Sequence, residues 1–282
     1  MRDVRQPGSF VADGIAWRIH RERVLLAGWG RAILLQLAHP KVARGVAEHS
    51  GFTTEPWGRL RRLYRTLGSM LALTFGTEDE AAAVAGRINA IHDRVHGRLG
   101  EAAGDAPAGA PYSAHDPALL TWVHATLLDS FLLTYRLFVR PLSEAEADRY
   151  CTEASGIESR LELPAGRLPR TAGALREYLD EMLASRAIEV TNVARDLARE
   201  VIAPPAPRVL KPLLRLAALP AVGLLPPAIR VAYGFAWDGR RERVLRVMAA
   251  AARSGLPFVP PVLRYWPSAR RAARRARRQR AA

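Results

Sequence analysis

The residues of this sequence that could do chemistry are its histidines. All seven lie within the first 124 of 282 residues. The last of them, His124, sits in the middle of a largely apolar run from Asp116 to Phe138. A neutral imidazole is a common metal ligand, and one in an apolar wall is suited to the metal of a buried cofactor. Taken singly, each histidine is more often structural or at the surface, so the metal site is a hypothesis centred on His124.

Two further histidines are spaced for a shared helical face. The periodicity predicts an amphipathic helix over Glu78–Leu99, which would bring His92 and His96 to neighbouring positions. Such a pair could bind zinc with a carboxylate, but the HExxH zinc-protease motif does not occur. The Glu-x-x-His pairs of di-iron bundles, a glycine-rich phosphate loop and a G-x-S-x-G elbow are also missing from the sequence. A metal held inside a cofactor such as haem needs only one protein nitrogen, and this possibility remains.

The element that carries His124 is well specified. Asp116 is a good N-cap and Pro117 suits the first helical position. Apolar residues then occupy nearly every face, which is typical of a buried central helix. Neighbours of His124 at three- and four-residue spacing are expected to line a cofactor site: Leu120, Leu127, Leu128 and Phe131.

Helical periodicity also dominates the rest of the chain, and strand signals are scarce. The pattern predicts a helical segment broken at Gly28 and Gly30 and ended by His39-Pro40. Ser143 and Glu146 form a capping box. The other helices are predicted over Val42–Ala47, Leu60–Phe75, Leu175–Val201 and Asp238–Ala252, with a loop at Gly100–Pro111.

Composition adds charge and compartment. The chain holds 42 Lys and Arg against 27 Asp and Glu, a formal net charge of +15, and almost all the positive charge is arginine. Cys151 is the only cysteine, which excludes an intrachain disulfide and a thiolate metal cluster. The first residues have no apolar run that is typical of a signal peptide, so a cytoplasmic location is the expectation.

The last third of the chain has two unusual stretches. Prolines interrupt an apolar stretch between Ile202 and Tyr233, which predicts short helices packed over the core, with a lipid-contacting lip as the alternative. Residues 266–282 form an arginine-rich tail without an acidic residue, expected to be disordered. If the tail is helical, arginines would share one side and an alanine stripe would face away, and it could contact anionic membrane or RNA.

Five stretches together carry a family resemblance. They are LLQLAHPKVARGVAEHSGF (34–52), INAIHDRVHG (88–97), YSAHDPALLTWVHATLLDS (112–130), RPLSEAEADRY (140–150) and LLPPAIRVAYGFAWD (224–238). Across residues 10–245 the chain resembles the MpaB-type and rubber-oxygenase (latex-clearing protein) catalytic domain family. The resemblance implies an all-α fold: a single-domain, multi-helix bundle with a globin-like core around a haem pocket, over residues 1–265.

The resemblance also implies a function. Characterised members are haem b-dependent oxygenases, and the implied substrates are dioxygen and a hydrophobic, isoprenoid-like or alkene molecule. In the latex-clearing branch the axial histidine is followed by alanine, as in His124-Ala125, so His124 is the implied iron ligand. The preceding helix would supply the distal, catalytic residues His92, Arg94 and His96. That branch also uses a lysine as sixth ligand, and this sequence has none in the region.

Haem propionates need polar partners, for which the resemblance offers several candidates. His39 and His49 stand in family-like motifs, although a histidine at a helix end or before a glycine-rich turn is commonly structural. Arginine forks match carboxylates, which adds Arg31, Arg44 and Arg59 to the candidates on charge alone. The choice among them stays open at this point.

Two other functions remain as alternatives. A non-catalytic haem-binding or sensor protein would use the same axial His124. A basic peripheral membrane or nucleic-acid-binding protein would use the net positive charge, but no recognition module is visible, so specific nucleic-acid binding is not expected. The sequence does not indicate an oligomeric state.

Overall fold

The computed structural model describes residues 14–49, 58–202 and 207–281, apart from the side chains of residues 58–64 and 281. Over these residues the chain forms fourteen α-helices and one small two-stranded sheet. The prediction of an all-α fold is confirmed.

The helices follow one another along the chain with the bounds that come next. They are α1 (Ile15–His20), α2 (Leu26–Leu37), α3 (Pro40–His49), α4 (Gly58–Phe75), α5 (Glu78–His92), α6 (Pro117–Phe138), α7 (Glu144–Ala154), α8 (Ala172–Ala184), α9 (Asn192–Ile202), α10 (Lys211–Gly223), α11 (Pro227–Ala232), α12 (Gly239–Gly255), α13 (Pro261–Arg264) and α14 (Pro267–Ala281). The antiparallel strands are β1 (His96–Arg98) and β2 (Pro111–Ser113). Short 3-10 helices cover Arg23–Leu25, Ser155–Arg160, Arg208–Leu210 and Leu256–Phe258.

Helix α6 runs through the centre of the fold. Its start is as predicted, because the Asp116 carboxylate accepts a hydrogen bond from the Ala118 backbone N–H at 2.9 Å and Pro117 follows the cap. The helix is long and apolar enough to cross a membrane, but about two thirds of its most apolar window is buried inside the protein. Burial of this kind is typical of a core helix.

Helix α2 packs closely against α6 and α10. A Cβ atom at Gly28 would lie 2.0 Å from Thr134 Oγ1, and one at Gly30 would lie 2.6 Å from the Ala221 Cβ. Both glycines therefore serve close helix packing and lie inside α2, so the predicted break at these glycines is wrong. Helix α1 ends instead at His20, two residues before the 3-10 helix that leads into α2.

The segment between α1 and the 3-10 helix is held by the C-terminal part of the chain. Buried Glu22 accepts a bidentate ion pair from Arg264, with a shortest distance of 2.7 Å. The Trp266 backbone N–H donates to the Arg21 carbonyl at 3.1 Å. These non-local contacts place the break in the helix where no local sequence signal marks it.

Helix α5 is shorter than its predicted span. It ends at His92, and the chain then turns into β1, which pairs with β2. At Gly97 a Cβ atom would lie 2.6 Å from the Tyr112 hydroxyl, so the close approach of the strands needs a glycine. His92 and His96 therefore lie on different elements, and their predicted shared helical face is wrong.

The helix predicted over Leu175–Val201 is divided into α8 and α9. In the connection, the Glu189 backbone N–H donates to the Ala38 carbonyl at 3.0 Å, and the Glu189 carboxylate accepts from the Gly104 N–H. Thr191 then caps α9 through a bond from the Ala194 N–H at 3.2 Å. The division lets this connection satisfy backbone groups at the end of α2.

The proline-rich stretch forms short helices as predicted, with α10 packed against α2 and α12. The arginine-rich tail differs from its expectation of disorder, because it forms α14. Ala269 of this helix is buried against Trp17 and Phe75, and Arg275 donates to the Phe75 carbonyl at 2.5 Å. Small alanine side chains let α14 lie against these two rings, so the alanine stripe faces the protein.

Candidate functional site

His124 lies in the middle of α6 with an imidazole that nothing in the described residues binds by a hydrogen bond. Its ring keeps some accessible surface although protein atoms surround it. Burial lowers its pKa to about 4; repulsion from His92 adds to this effect, and Glu158 opposes it. The imidazole is therefore neutral at pH 7, with a lone pair available to a ligand.

His92 is the second neutral imidazole of the site, at the last position of α5. Its Nδ1 atom is buried and has no hydrogen-bond partner in the described parts of the chain. Its ring meets the His115 ring edge to face, with centroids 5.7 Å apart. Burial lowers the pKa of His92, and repulsion from His115 adds to the effect.

His115 connects the end of α5 to the segment after α7. Its Nε2 lies 2.8 Å from Asp93 Oδ1 and its Nδ1 lies 3.7 Å from Glu162 Oε2. Glu162 also accepts from the Asn89 amide at 3.1 Å, and its backbone adopts a left-handed φ of 56°. A left-handed non-glycine residue costs about 1 kcal/mol, so these contacts hold a strained backbone in place.

Glu158 is the buried acid nearest in charge to His124. It lies in the 3-10 helix after α7, pairs with Arg170 at 2.6 Å, and accepts from the backbone N–H groups of Leu168 and Gly166 at 2.6 and 3.2 Å. Each of these bonds satisfies the carboxylate, which would otherwise be costly to bury. Beside it, Leu120 of α6 packs with Leu163 and Leu168 in a small apolar cluster.

The sequence patterns did not single out His115, Glu158 or Glu162. His115 had one available signal, its position directly before the Asp116 cap of α6. Neither glutamate stands in a motif, and both reach the site through contacts distant in sequence.

His39 is the third neutral imidazole, at the junction of α2 and α3. It is buried, and its Nδ1 has no partner among the residues that the structure describes. Burial lowers its pKa to about 4, with Lys41 adding to the effect and Asp105 and Asp116 opposing it. The neighbouring Gln36 amide donates to the Val123 carbonyl at 3.1 Å, which ties the end of α2 to α6 one residue before His124.

His49 and Arg44 lie in a surface cluster at α3. The Tyr112 hydroxyl donates to Glu48 and lies 3.3 Å from His49 Nε2, while Arg44 pairs with Glu48 at 2.5 Å. Burial and the bond to Glu48 raise the pKa of Tyr112 to about 12. The roles proposed for His49 and Arg44 at a haem propionate stay predictions, as does that of Arg59, whose side chain lies outside the described residues.

Arg31 is committed to contacts within the protein. It is buried, pairs with Asp129 at 2.7 Å, and donates to Ser130 Oγ and to the Leu224 carbonyl, also at 2.7 Å. The guanidinium thus joins α2, α6 and the end of α10. Its role as a propionate partner stays a prediction, and these contacts do not favour it.

Of the three predicted distal residues, His92 alone faces His124 electrostatically. Arg94 and His96 are exposed, in the turn after α5 and on β1. The predicted pocket leucines of α6 are divided between clusters: Leu120 lies near Glu158, whereas Leu127 and Leu128 pack in the main core. Phe131 also belongs to the main core, where its ring meets His20 at 5.3 Å and Trp29 at 5.9 Å.

The donor set fits a cofactor-held metal. In residues 14–49, 58–202 and 207–281 no three His, Cys, Asp or Glu side chains come together as a metal-ion site. A haem iron needs one axial imidazole from the protein, in its neutral form. The partnerless ring of His124, with the neutral His92 near it, meets that requirement.

The whole helical domain matches a known family. Residues 17–254 match the family described as ER-bound oxygenase mpaB/B'/Rubber oxygenase, catalytic domain. The chain belongs to this family. The region that contains His39, His92 and His124 is thus part of an oxygenase catalytic domain.

Comparisons with individual proteins give two relatives. The chain is 27% identical over 231 residues to an uncharacterized protein of Mycobacterium bovis, a match that covers 81% of this chain and 87% of the relative. An uncharacterized protein of Mycobacterium tuberculosis matches with the same identity and coverage. No solved structure matches the chain.

Proposed function

We propose that this member of the oxygenase family is a haem b-dependent enzyme that acts on a hydrophobic, isoprenoid-like or alkene substrate, with His124 as the iron ligand. The observation that carries the proposal is the His124 ring, which is desolvated, neutral and without a hydrogen-bond partner among the described residues. Leaving a buried polar group without a partner is costly, so such a group calls for a ligand.

Bound haem would supply the iron at which dioxygen is activated. The contribution of His124 is a neutral nitrogen donor at a fixed position. That position is set by the Asp116 cap at the start of α6 and by the Gln36 bond to the Val123 carbonyl. A donor on a capped, buried helix loses little conformational freedom when it binds a ligand.

His92 would hold a proton for the reacting oxygen atoms. Its Nδ1 is buried without a partner in the described chain, so this atom is free to donate or accept one hydrogen bond. His115 packs against the His92 ring and is itself bound to Asp93 at 2.8 Å. These contacts restrict the orientation of His92, which a positioned acid–base group requires.

Apolar side chains would exclude water and accept the substrate. Leu120, Leu163 and Leu168 form a buried wall beside Glu158, the acid that interacts with His124. A site lined mainly by apolar groups with a few placed polar atoms favours a hydrophobic ligand.

The proposal is tested by haem titration of the purified full-length chain. We expect one haem to bind per chain with a Soret band typical of axial imidazole ligation, and His124→Ala to lose or strongly shift this band. His96→Ala is the matched control, because His96 is exposed on β1 and its replacement should leave the spectrum unchanged. An unchanged Soret band in His124→Ala would overturn the ligand assignment.

Activity requires a second measurement. Oxygen uptake by the haem-loaded protein is recorded with and without an isoprenoid alkene, and we expect substrate-dependent uptake that is lost in His124→Ala. Haem binding through His124 without any substrate-dependent uptake would contradict an oxygenase and favour a non-catalytic haem-binding protein.

A further inference from the structure

An open groove runs between α1, the segment around α13 and the tail helix α14, and none of the proposed haem-site residues lines it. Its volume is about 580 Å³. Ligand sites commonly have volumes of about 300–1,000 Å³. The groove is lined by Trp17, Arg21, Pro261, Tyr265, Ala269, Arg270, Ala273, Arg274, Ala276, Arg277 and Arg280.

The walls of the groove carry a high density of positive charge. Arg270, Arg274 and Arg277 are spaced by four and three residues along α14, so they share one side of that helix. Arg21 faces them from the end of α1, with its guanidinium 4.4 Å from the centre of the Tyr265 ring. Like charges at this helical spacing repel one another, and an anion between them would relieve that repulsion.

Acidic residues do not neutralise these four arginines in the described structure. Helix α14 contains no Asp or Glu, and the buried acid that follows α1, Glu22, is already paired with Arg264. The Nε atoms of Arg21 and Arg270 are buried without hydrogen-bond partners in the described part of the chain. Buried donors without acceptors beside a cationic groove indicate a site for an anionic ligand.

Exposed apolar side chains adjoin the same groove. Phe258, Val262 and Leu263 flank Pro261, which lines the groove, and they are 86%, 49% and 61% exposed. Single exposed apolar residues are ordinary, but three of them around one short helix form a patch that water solvates poorly. Inside the groove, Trp17 and the alanines of α14 add an apolar floor.

We propose that this groove binds the phosphate headgroup of an anionic phospholipid, and that Phe258, Val262 and Leu263 enter the lipid layer beside it. The combination of an arginine wall and an adjoining apolar patch fits the interface of a bilayer, where charge and hydrocarbon lie a few ångströms apart. RNA fits less well, because it would leave the apolar patch in water. The Tyr265 ring is also covered by Arg21 and Arg264, and so is not open to base stacking.

The test is flotation of the full-length protein with phosphatidylcholine vesicles that contain or lack phosphatidylglycerol. We expect binding only with phosphatidylglycerol. The double variant Arg274→Gln/Arg277→Gln should bind about 25-fold more weakly, since each basic residue near an anionic surface contributes roughly fivefold. The matched control is Arg240→Gln/Arg246→Gln, which removes the same charge from the exposed surface of α12 and should weaken binding less than about fivefold.

The apolar patch is tested separately. Phe258→Ser should weaken vesicle binding about tenfold, because a buried aromatic side chain gains favourable transfer free energy in the lipid layer. Val247→Ser is the control, since Val247 is also exposed, at 67%, but lies on α12 and does not line the groove. Neither substitution touches the buried core, and circular dichroism verifies that every variant remains helical.

Several outcomes would overturn the proposal. They are equal binding to vesicles without phosphatidylglycerol, equal loss in the groove and α12 pairs, and equal loss in Phe258→Ser and Val247→Ser. Binding of a single-stranded RNA, with no vesicle binding and the same dependence on Arg274 and Arg277, would assign the groove to nucleic acid instead. Glycerol 3-phosphate alone should compete weakly; complete competition at low concentration would indicate a small-anion site. Because apo-protein serves in every assay, failure of the lipid proposal leaves the haem proposal untouched.

Discussion

Two histidines of this fold are desolvated for the same reason but have opposite surroundings. His20 lies among α1, α4 and α7, where its Nε2 is 3.0 Å from the Tyr150 hydroxyl and its Nδ1 is 3.3 Å from Thr74 Oγ1. His124 has no such partner within the described residues. Burial lowers the pKa of His20 to about 3 and that of His124 to about 4.

The difference shows that burial alone does not identify a ligand site. Both imidazoles are neutral at pH 7, but both ring nitrogens of His20 are used to join three helices. The ring of His124 is left available on a helix whose other residues are mostly packed. A satisfied buried histidine is part of the core, whereas an unsatisfied one indicates a site.

The largest expected effect separates the two histidines by stability. In haem-free protein, His20→Ala should lower the free energy of unfolding by about 3–4 kcal/mol, because it opens a cavity and leaves the buried Tyr150 hydroxyl without its partner. His124→Ala removes no hydrogen bond to the described residues and should cost less than about 1 kcal/mol. Urea denaturation followed by circular dichroism measures both, and equal losses would erase the distinction.

The next effect is the dependence of stability on pH. The folded pKa values of His20 and His124 lie below the ordinary value of 6.5, so the unfolded chain takes up protons first as the pH falls. Stability should therefore be complete above pH 6.5 and fall between about 6.5 and 4. Each histidine contributes a slope of about 1.4 kcal/mol per pH unit.

Single variants divide this slope between its sources. His20→Gln and His124→Gln should each flatten the pH dependence of the free energy of unfolding by one histidine's share, and His96→Gln should leave it unchanged. Stability that rises as the pH falls from 6.5 to 4 would contradict the neutral state of both buried rings.

The smallest effect concerns His92, which shares the environment of His124 but not its proposed role. His92→Leu should leave the Soret band of the haem-loaded protein in place and lower kcat for oxygen uptake roughly tenfold, the low end of a positioned proton donor's contribution. His49→Ala, on the exposed end of α3, serves as the control. Loss of the Soret band in His92→Leu would mean that His92, and not His124, binds the haem.

Local signals in the sequence predicted the elements that their own residues determine. Asp116 and Pro117 fix the start of α6, and Ser143 with Glu146 forms the capping box at the start of α7. Asp238 caps α12 in the same way, by accepting from the Arg241 N–H at 2.8 Å. In each case the cap and the hydrogen bond lie within a few residues, so no distant contact is needed to recognise them.

Features that depend on distant contacts could not be predicted from the sequence. Gly28 looks like a helix breaker, but it lies inside α2 because Thr134 approaches it across the helix interface. Glu158 carries no motif, although Arg170 and the loop around Leu168 bury it next to the site. His92 was recognised as a candidate from its residue type, but its separation from His96 required the pairing of β1 with β2.

The most direct test of the role of His124 is chemical rescue of its cavity variant. His124→Gly removes the imidazole from α6, and added imidazole can then supply the missing nitrogen without any covalent link to the chain. The account predicts that the Soret band typical of imidazole ligation is lost in His124→Gly and restored by imidazole, while His20→Gly shows no imidazole-dependent spectrum. A His124→Gly protein whose spectrum matches the wild type before imidazole is added would contradict it.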